Sequence, residues 1–152
     1  MLIDSHCHLT DHQFNEDREA TMTRARAAGV ERFIVIGANG DFSHNEKALA
    51  LADECEDVFA VIGVHPHDAK DISDETYEQL RKLAQHPKVV GLGETGLDFY
   101  YDNSPREAQR RHFRNFIRLA RAHDLPPSMH VRDAYEEAAL TLLERGEGRI
   151  RG

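Results

Sequence analysis

The sequence predicts an α/β fold built from parallel βα units, either a barrel of the TIM type or an open, doubly wound sheet. Short apolar runs of strand length alternate with longer segments of helical periodicity, and this alternation repeats five times along the 152 residues. Such alternation produces a parallel sheet, because each helix returns the chain to the same end of the sheet before the next strand begins. No internal repeat, linker or low-complexity stretch divides the chain, so we expect residues 1–152 to form a single domain.

The apolar runs give the predicted strands in order. They lie at Met1–Ser5, Arg32–Gly37, Val58–Val64, Val89–Gly93 and, less cleanly, Pro127–Val131. The last run begins next to prolines, which suit the first residue of a strand or the edge of a sheet.

The segments between the strands predict helices at 15–28, 43–56, 73–85, 105–123 and 133–145. The second and fourth begin with sequences that resemble capping boxes, Ser43-x-x-Glu46 and Ser104-Pro105-x-Glu107, the latter with proline at the first helical position. The fourth helix carries one apolar stripe that we expect to face the core: Phe113, Phe116, Ile117 and Ala120.

Composition and charge narrow the function classes. With 40% apolar and 30% charged residues, the chain is typical of a folded soluble protein. No run approaches the roughly 20 apolar residues of a membrane span and no signal sequence begins the chain, so we expect no membrane partner. Cys7 and Cys55 are too few for a disulfide framework and favour the cytoplasm. The net charge of −8 argues against a broad basic surface for nucleic acid, but it is compatible with a nuclease whose metal ions supply positive charge.

Two histidines, His6 and His8, stand one residue apart at the end of the first strand. Residues i and i+2 of a strand point to the same side, so the two imidazoles can hold one cation together. Neutral imidazole is a common ligand of catalytic divalent metals. A His-x-His pair also arises as an accident of surface or core, so the other strand ends decide between the two interpretations.

Residues of metal-ligand type follow three other predicted strands. His65 and His67 follow the third strand, Glu94 ends the fourth, and His130 ends the fifth. In parallel α/β folds the functional site lies at the carboxyl ends of the strands. Four strands therefore bring His or Glu to one rim, which favours a metal-dependent enzyme. These ligand types suit zinc, manganese or magnesium and do not choose among them.

Three residues near this rim also have a structural alternative. His65 either caps its strand before Pro66 or contacts a metal ion or the substrate. His67 is either a loop residue or a substrate contact. Arg132 either neutralises Asp133 at the next helix start or binds a phosphate oxygen, for which its planar fork is suited.

The remaining candidates have no strand-end position. Phe99-Tyr100-Tyr101 either stacks on bases or packs over the rim of its own domain. Cys7, between the two histidines, should point the opposite way into packing. The other histidines are expected at the surface: His12, His44, His86, His112 and His123. No glycine-rich nucleotide loop follows a strand, so we expect no nucleotide cofactor.

Four motifs are spaced along the chain. They are Asp4-Ser5-His6-Cys7-His8-Leu9, Gly63-Val64-His65-Pro66-His67, Gly91-Leu92-Gly93-Glu94-Thr95-Gly96-Leu97-Asp98-Phe99-Tyr100-Tyr101 and His130-Val131-Arg132-Asp133-Ala134. In this order they resemble the TatD family of metal-dependent deoxyribonucleases, which belongs to the amidohydrolase-like TIM barrels. The resemblance runs from residue 1 to about residue 146.

The resemblance implies a metal ligand at each matching position. His6 and His8 would hold one ion, Glu94 would bridge two ions, and His130 would bind the second. The implied cofactors are two divalent ions, Mg, Mn or Zn. Bound ions of this kind polarise phosphoryl oxygens and lower the pKa of a bound water.

The resemblance also implies the reaction, which is hydrolysis of DNA phosphodiester bonds from the 3′ end of a single strand. Glu94 would fix the separation of the ions. His65 and Arg132 would lie near the substrate phosphate. The implied catalytic residues are therefore Glu94, His65 and Arg132.

Part of the family's fold has no counterpart in this sequence. A complete (β/α)₈ barrel needs roughly 250 residues, so we expect a partial barrel of about five of the eight βα units, incomplete at the C-terminus. The family's other ligands, a histidine on strand 6 and an aspartate on strand 8, would lie beyond the last residue. The stretch 146–152 is polar and rich in glycine and arginine, which is typical of a truncated or frame-shifted end.

Five parallel strands would leave two open sheet edges and uncovered interior side chains. We expect such a fragment to be marginally stable or to self-associate through those edges. One metal ion could still bind weakly, whereas full two-metal catalysis would require more of the barrel.

Three functions fit these observations. The first is a TatD-like deoxyribonuclease. The second is an amidohydrolase-type metalloenzyme acting on a small amide, ester or lactone, which the Gly-Glu-Thr-Gly-Leu-Asp context of Glu94 disfavours. The third is an inactive, truncated metal-binding fragment.

Overall fold

Five parallel strands form a curled half-barrel in the computed structural model, which describes residues 1–147. The strands, which pair in chain order, are β1 (Leu2–Cys7), β2 (Val30–Ile36), β3 (Val58–Ile62), β4 (Val89–Asp98) and β5 (Pro127–Arg132). The helices are α1 (Arg18–Ala27), α2 (Ser43–Glu54), α3 (Asp74–Leu83), α4 (Arg106–His123) and α5 (Tyr135–Gly146), with short 3₁₀ helices at His12–Phe14 and Pro66–Asp71.

The predicted α/β architecture is confirmed, because every predicted strand and helix is present and all neighbouring strands are parallel. Residues 148–152, which make up most of the predicted polar end, lie outside the described residues. Within residues 1–147, no helix combines the length and the apolar character needed to cross a membrane.

The main core lies between the sheet and the helices. Alternate residues of β2 separate its two faces: Phe33 and Val35 join the main core, whereas Ile36 packs with Val61 on the inner face. The predicted stripe of α4 is confirmed, since all of its members are buried: Phe113, Phe116, Ile117 and Ala120. The helices therefore pack on the outer face of the sheet, and the carboxyl ends of the strands are left to form the site.

The outer strands β1 and β5 are the edges of the described sheet, as predicted. Leu2 and Ile3 of β1 are 57% and 51% exposed, and Met129 of β5 is 41% exposed. Strand β5 begins at Pro127, where proline removes no interior ladder bond. The open edges and uncovered apolar side chains are thus present, and self-association stays a prediction.

Strand β4 extends to Asp98, so the predicted end at Gly93 is wrong. The apolar run ends at Gly93, but the strand continues, and glycine is required within it because β5 passes unusually close. A Cβ on Gly93 would overlap the main-chain oxygen of Ser128, and one on Gly96 would overlap that of His130. Both glycines also have a positive φ, +150° and +145°, which side chains disfavour.

A bulge in β4 sets the position of Glu94. In the ladder with β5, Gly93 pairs with Ser128 and Thr95 pairs with Met129, so Glu94 has no partner residue in the register. Bulges of this kind redirect a side chain and are common beside active sites.

Both predicted capping boxes are wrong. At α2, the N-cap is Phe42, and the Asp41 carboxylate accepts the Ser43 N–H instead. At α4, the N-cap is Pro105; the Ser104 hydroxyl instead donates to the carbonyl of His67 at 2.6 Å, because this loop packs against the 3₁₀ helix at Pro66–Asp71.

A capping box that the sequence pattern did not single out begins α3. The Ser73 hydroxyl accepts the Thr76 N–H, and the Thr76 hydroxyl accepts the Ser73 N–H.

His112, expected at the surface, is buried in the groove between α3 and α4 and is 5% exposed. Its Nε2 lies 3.0 Å from an Arg111 nitrogen, which can only donate, so Nε2 accepts. The proton of the neutral ring is therefore on Nδ1, which donates to the Tyr77 hydroxyl oxygen at 2.6 Å. Burial and the Arg111 charge lower the pKa of His112 to about 4.

The low pKa of His112 predicts an acid-sensitive contribution to stability. Its folded pKa lies below the unfolded value of about 6.5, so the unfolded state gains the proton first as the pH falls. The contribution of His112 to the free energy of unfolding is fully present above about pH 6.5 and is lost progressively as the pH falls towards 4. The His112→Gln variant should lose about 2 kcal/mol less than the wild type between pH 7.5 and pH 4.5. Urea unfolding at both pH values checks this, and parallel pH profiles would contradict it.

Candidate metal centre

A cavity of about 520 Å³ lies at the carboxyl ends of the strands. All of the predicted site residues line it: His6, His8, His65, Glu94, His130 and Arg132. The structure therefore brings together residues from four different strands or the loops that follow them, as the strand-end argument predicted. Their roles are not tested by proximity and remain predictions.

Glu94 lies at the centre of the imidazoles. Its Oε2 is 3.4 Å from His6 Nε2 and 3.9 Å from His8 Nε2, and its Oε1 is 3.3 Å from His130 Nδ1. These separations exceed the usual hydrogen-bond length of about 2.9 Å. Two ligands that share one ion at bond lengths of about 2.1 Å lie roughly 3.0–3.4 Å apart. The separations of His6 and His130 therefore fit ligands that share a cation with Glu94, one on each side of the carboxylate, whereas His8 at 3.9 Å lies outside this range.

Two groups of ligand type share Glu94 and thus describe two adjacent candidate sites. His6, His8 and Glu94 form the first group, and His65, Glu94 and His130 form the second; in each group the ligand atoms lie within 4.8 Å of one another. A donor set of imidazole nitrogen and carboxylate oxygen suits zinc and manganese, and it admits magnesium through the carboxylate.

The protonation states of the imidazoles also suit metal binding, which requires a neutral ring. Burial, with the neighbouring His130 and His67, lowers the pKa of His65 to about 3. Burial lowers the pKa of His8 as well. Both rings are therefore neutral near pH 7, and a metal ion does not have to displace a second ring proton.

Cys7 is not part of the donor set. Its thiol lies on the other side of β1, packs against the main core and donates to the Ile34 carbonyl at 3.4 Å. Burial raises the pKa of Cys7 to about 12, so it is not a thiolate. The prediction that Cys7 points into packing is confirmed.

His65 caps the 3₁₀ helix that follows β3 rather than the strand itself, and it also lines the cavity. Its Nδ1 accepts the His67 N–H at 3.2 Å. In the neutral ring the proton is then on Nε2, which is a donor. His65 is therefore better suited to an oxygen of an anionic substrate than to a metal ion.

Asp98 is a site residue that the sequence analysis did not single out. It is fully buried, and its Oδ2 lies 2.8 Å from His67 Nε2 and 2.9 Å from His130 Nε2. Burial raises the pKa of Asp98, but the N–H of Tyr101 and the two imidazoles outweigh burial and hold the pKa well below its usual range. Glu94 and Asp98 are four residues apart on one strand, a spacing that would have revealed the shared face had β4 been predicted in full.

Arg132 is held by aromatic rings at the edge of the cavity. Its guanidinium carbon lies 4.4 Å from the Tyr100 ring centre and 4.7 Å from that of Tyr101. Among residues 1–147 it forms no ion pair with Asp133, so the neutralising alternative is wrong. Cation–π contacts leave the N–H groups of the guanidinium available to an anion.

The aromatic loop divides between the two functions considered for it. Phe99 packs against the core cluster of Leu97 and lies under Arg106 and Arg110. Tyr100 and Tyr101 are 59% and 53% exposed. Only the tyrosines are therefore available to a ligand.

The family model described as TatD related DNase matches residues 3–152. The chain belongs to the TatD family. It is 40% identical over 152 residues to the uncharacterized metal-dependent hydrolase YabD of Bacillus subtilis, covering 100% of this chain and 59% of that protein. It is 39% identical over 134 residues to the 3′-5′ ssDNA/RNA exonuclease TatD of Cronobacter turicensis, covering 88% of this chain and 50% of that protein.

A solved TatD structure has the same fold. The crystal structure of YJJV, a TatD homolog from Escherichia coli K12, matches with a TM-score of 0.89 and 33% sequence identity, covering 98% of this chain and 57% of that chain. The predicted TIM-barrel type is thereby confirmed. The chain spans about half the length of the curated TatD relatives it matches.

Proposed function

We propose that the rim around Glu94 is a divalent-metal centre that hydrolyses phosphodiester bonds of single-stranded DNA from the 3′ end. The observation that carries this proposal is the arrangement of three imidazole nitrogens around both oxygens of one buried carboxylate. The printed name of the Cronobacter relative, an ssDNA/RNA exonuclease, supports a nucleic-acid substrate and leaves RNA as an alternative.

The ligands divide between two ions, Mg, Mn or Zn. His6 and His8 would hold one ion, His130 would hold the other, and Glu94 would contribute its carboxylate to both. When bound, the ions supply positive charge to the phosphate oxygens and hydroxide near neutral pH. They also offset part of the repulsion between a polyanion and a chain of net charge −8.

His65 and Arg132 bind the phosphate. His65 donates from Nε2, the nitrogen that its helix cap leaves protonated. Arg132 donates from a guanidinium that is oriented by stacking on the tyrosines rather than by a carboxylate. Both side chains line the cavity that contains Glu94. Together they orient the scissile phosphate and stabilise the charge that develops on it.

End-labelled single-stranded DNA tests the direction and the metal dependence of cleavage. With Mg²⁺ or Mn²⁺, a 3′ label should be released at once as a mononucleotide, a 5′ label should give a descending ladder, and a chelator should stop both. Absence of metal-dependent cleavage by the folded 152-residue chain would overturn the proposal. Hydrolysis of small amide, ester or lactone substrates instead would support the amidohydrolase alternative.

We also propose that residues 1–152 act as one domain in the cytoplasm. Both cysteines are free in the structure, which suits a reducing compartment. Fractionation of cells that express a tagged chain would test the location.

We also propose that the chain self-associates through its open sheet edges, which are formed by β1 and β5. Within residues 1–147, each edge strand has backbone groups with no strand partner on one side, beside exposed apolar side chains such as Leu2 and Met129. Sedimentation velocity should detect dimers or larger species at micromolar concentration, and a monomer at all concentrations would contradict this proposal.

A further inference from the structure

Asp98 uses all of its hydrogen-bonding capacity inside the rim. Its Oδ1 accepts the backbone N–H groups of Tyr100 at 3.1 Å and Tyr101 at 2.9 Å, and its Oδ2 faces the Nε2 atoms of His67 and His130. A carboxylate offers about four acceptor positions, and four donors fill them here. The side chain is fully buried, so solvent does not replace these donors.

The backbone of Asp98 is fixed as firmly as its carboxylate. The Gln109 side-chain oxygen accepts the Asp98 N–H at 2.7 Å, and the Gln109 amide donates to the Asp98 carbonyl at 3.1 Å. Gln109 is itself fully buried and also donates to the Ser104 carbonyl at 2.9 Å. A carboxylate held on both sides can impose a geometry on the rings that touch it.

The contacts of Asp98 determine where the imidazole protons lie. An ionised carboxylate only accepts, so His67 and His130 both donate from Nε2. When the ring is neutral it has one N–H, so Nδ1 of His130 then carries a lone pair. That atom lies 3.3 Å from Glu94 Oε1, so two acceptors face each other with no proton between them. A cation between them resolves this repulsion.

We propose that Asp98 is a positioning residue of the metal centre: it fixes His130 in the Nε2–H tautomer, so that Nδ1 is presented to the ion beside Glu94. It holds the ring of His67 in the same way. This inference rests on the metal-binding part of the proposed function and not on the choice of substrate.

The group His67, Asp98 and His130 also has the composition of a third metal site. Occupation of that site together with the site beside Glu94 would require His130 to bind ions through both ring nitrogens and to lose its one remaining N–H proton. The separations of 2.8 and 2.9 Å are those of N–H···O bonds, which favours the positioning role.

The Asp98→Asn variant tests the tautomer directly. Its oxygen should keep the two backbone N–H groups, which places the amide N–H₂ against both Nε2 atoms. Each Nε2 must then accept, so the proton of His130 moves to Nδ1, where it blocks the ion. The Asp102→Asn variant is the matched control, because Asp102 lies in the loop that follows Asp98 but pairs with Arg106 outside the cavity lining.

Two measurements made without substrate determine the tautomer of His130 and the affinity for Mn²⁺. Nitrogen chemical shifts of the metal-free protein at pH 8.5 should report Nε2–H for His130 in the wild type and in Asp102→Asn, and Nδ1–H in Asp98→Asn. Titration calorimetry with Mn²⁺ should give an affinity about 10- to 100-fold lower for Asp98→Asn alone.

A wild-type spectrum with Nδ1–H on His130 would overturn the proposal even if the variant fails to fold. An unchanged Mn²⁺ affinity in a folded variant with the shifted tautomer would also overturn it. Since neither measurement uses DNA, a failed nuclease assay would leave both results interpretable.

Discussion

The Glu94→Gln variant is expected to lose at least about 100-fold in metal-dependent nuclease activity. Glutamine keeps the size of the side chain but removes the charge and one of the two oxygens that face His6, His8 and His130. Both candidate ion sites use Glu94, so both should weaken together. Initial rates on labelled single-stranded DNA at several Mn²⁺ concentrations measure the loss.

The stability of the metal-free variant separates this effect from misfolding. Glu94 is 9% exposed, and replacing a buried carboxylate by a neutral amide removes a desolvation cost. The free energy of unfolding without metal should therefore stay the same or rise. Glu78→Gln is the matched control, since Glu78 is an exposed partner of Arg81 on α3. Full activity of Glu94→Gln would contradict the proposed centre.

The Gly96→Ala variant is expected to have the largest effect on stability, a loss of about 2–5 kcal/mol. The added Cβ would overlap the main-chain oxygen of His130, and the φ of +145° at this position disfavours any side chain. The clash is relieved by separating β4 and β5, which also moves His130 relative to Glu94. Urea unfolding measures the first effect, and calorimetric Mn²⁺ titration measures the second.

A second glycine separates the clash from the backbone strain. Gly29 also has a positive φ, +99°, but the nearest atom to an added Cβ is 3.8 Å away, on Leu2. Gly29→Ala should therefore lose only about 1 kcal/mol and keep Mn²⁺ binding. Equal losses for the two variants would mean that the approach of β5 does not restrict position 96.

Much of the fold could be predicted because hydrophobic periodicity and the alternation of strands and helices along the chain are local signals. The sequence placed His6, Glu94 and His130 at strand ends, and a parallel sheet brings such ends to one edge whatever its exact register. Topology therefore accounts for the convergence of His6 and His130, whereas Glu94 lies four residues before the end of β4 and is positioned by the bulge.

The extent of β4 could not be predicted, because its cause lies in another strand. Gly93 and Gly96 are typical of a loop when only their own propensities are considered, and the close passage of β5 reverses that interpretation. Because the strand was not predicted beyond Glu94, the position of Asp98 on the same face of the strand was not recognised.

The surface assignment of His112 and the capping box at Ser104 failed for a related reason. His112 lies on the fourth helix, and its burial depends on how α3 packs against it, through Tyr77. Ser104 has the composition of a cap, but a partner 37 residues away in sequence, His67, takes its hydroxyl. Tertiary contacts overrode local propensity in both cases.

Anomalous diffraction from crystals grown with Mn²⁺ locates bound ions independently of any reaction and is the decisive measurement for a metal centre at Glu94. We expect anomalous peaks within about 2.3 Å of the Glu94 oxygens, one next to His6 and His8 and one next to Nδ1 of His130. A rim without anomalous density at saturating Mn²⁺, in crystals whose side chains are ordered, would show that Glu94 is not the centre of a metal site.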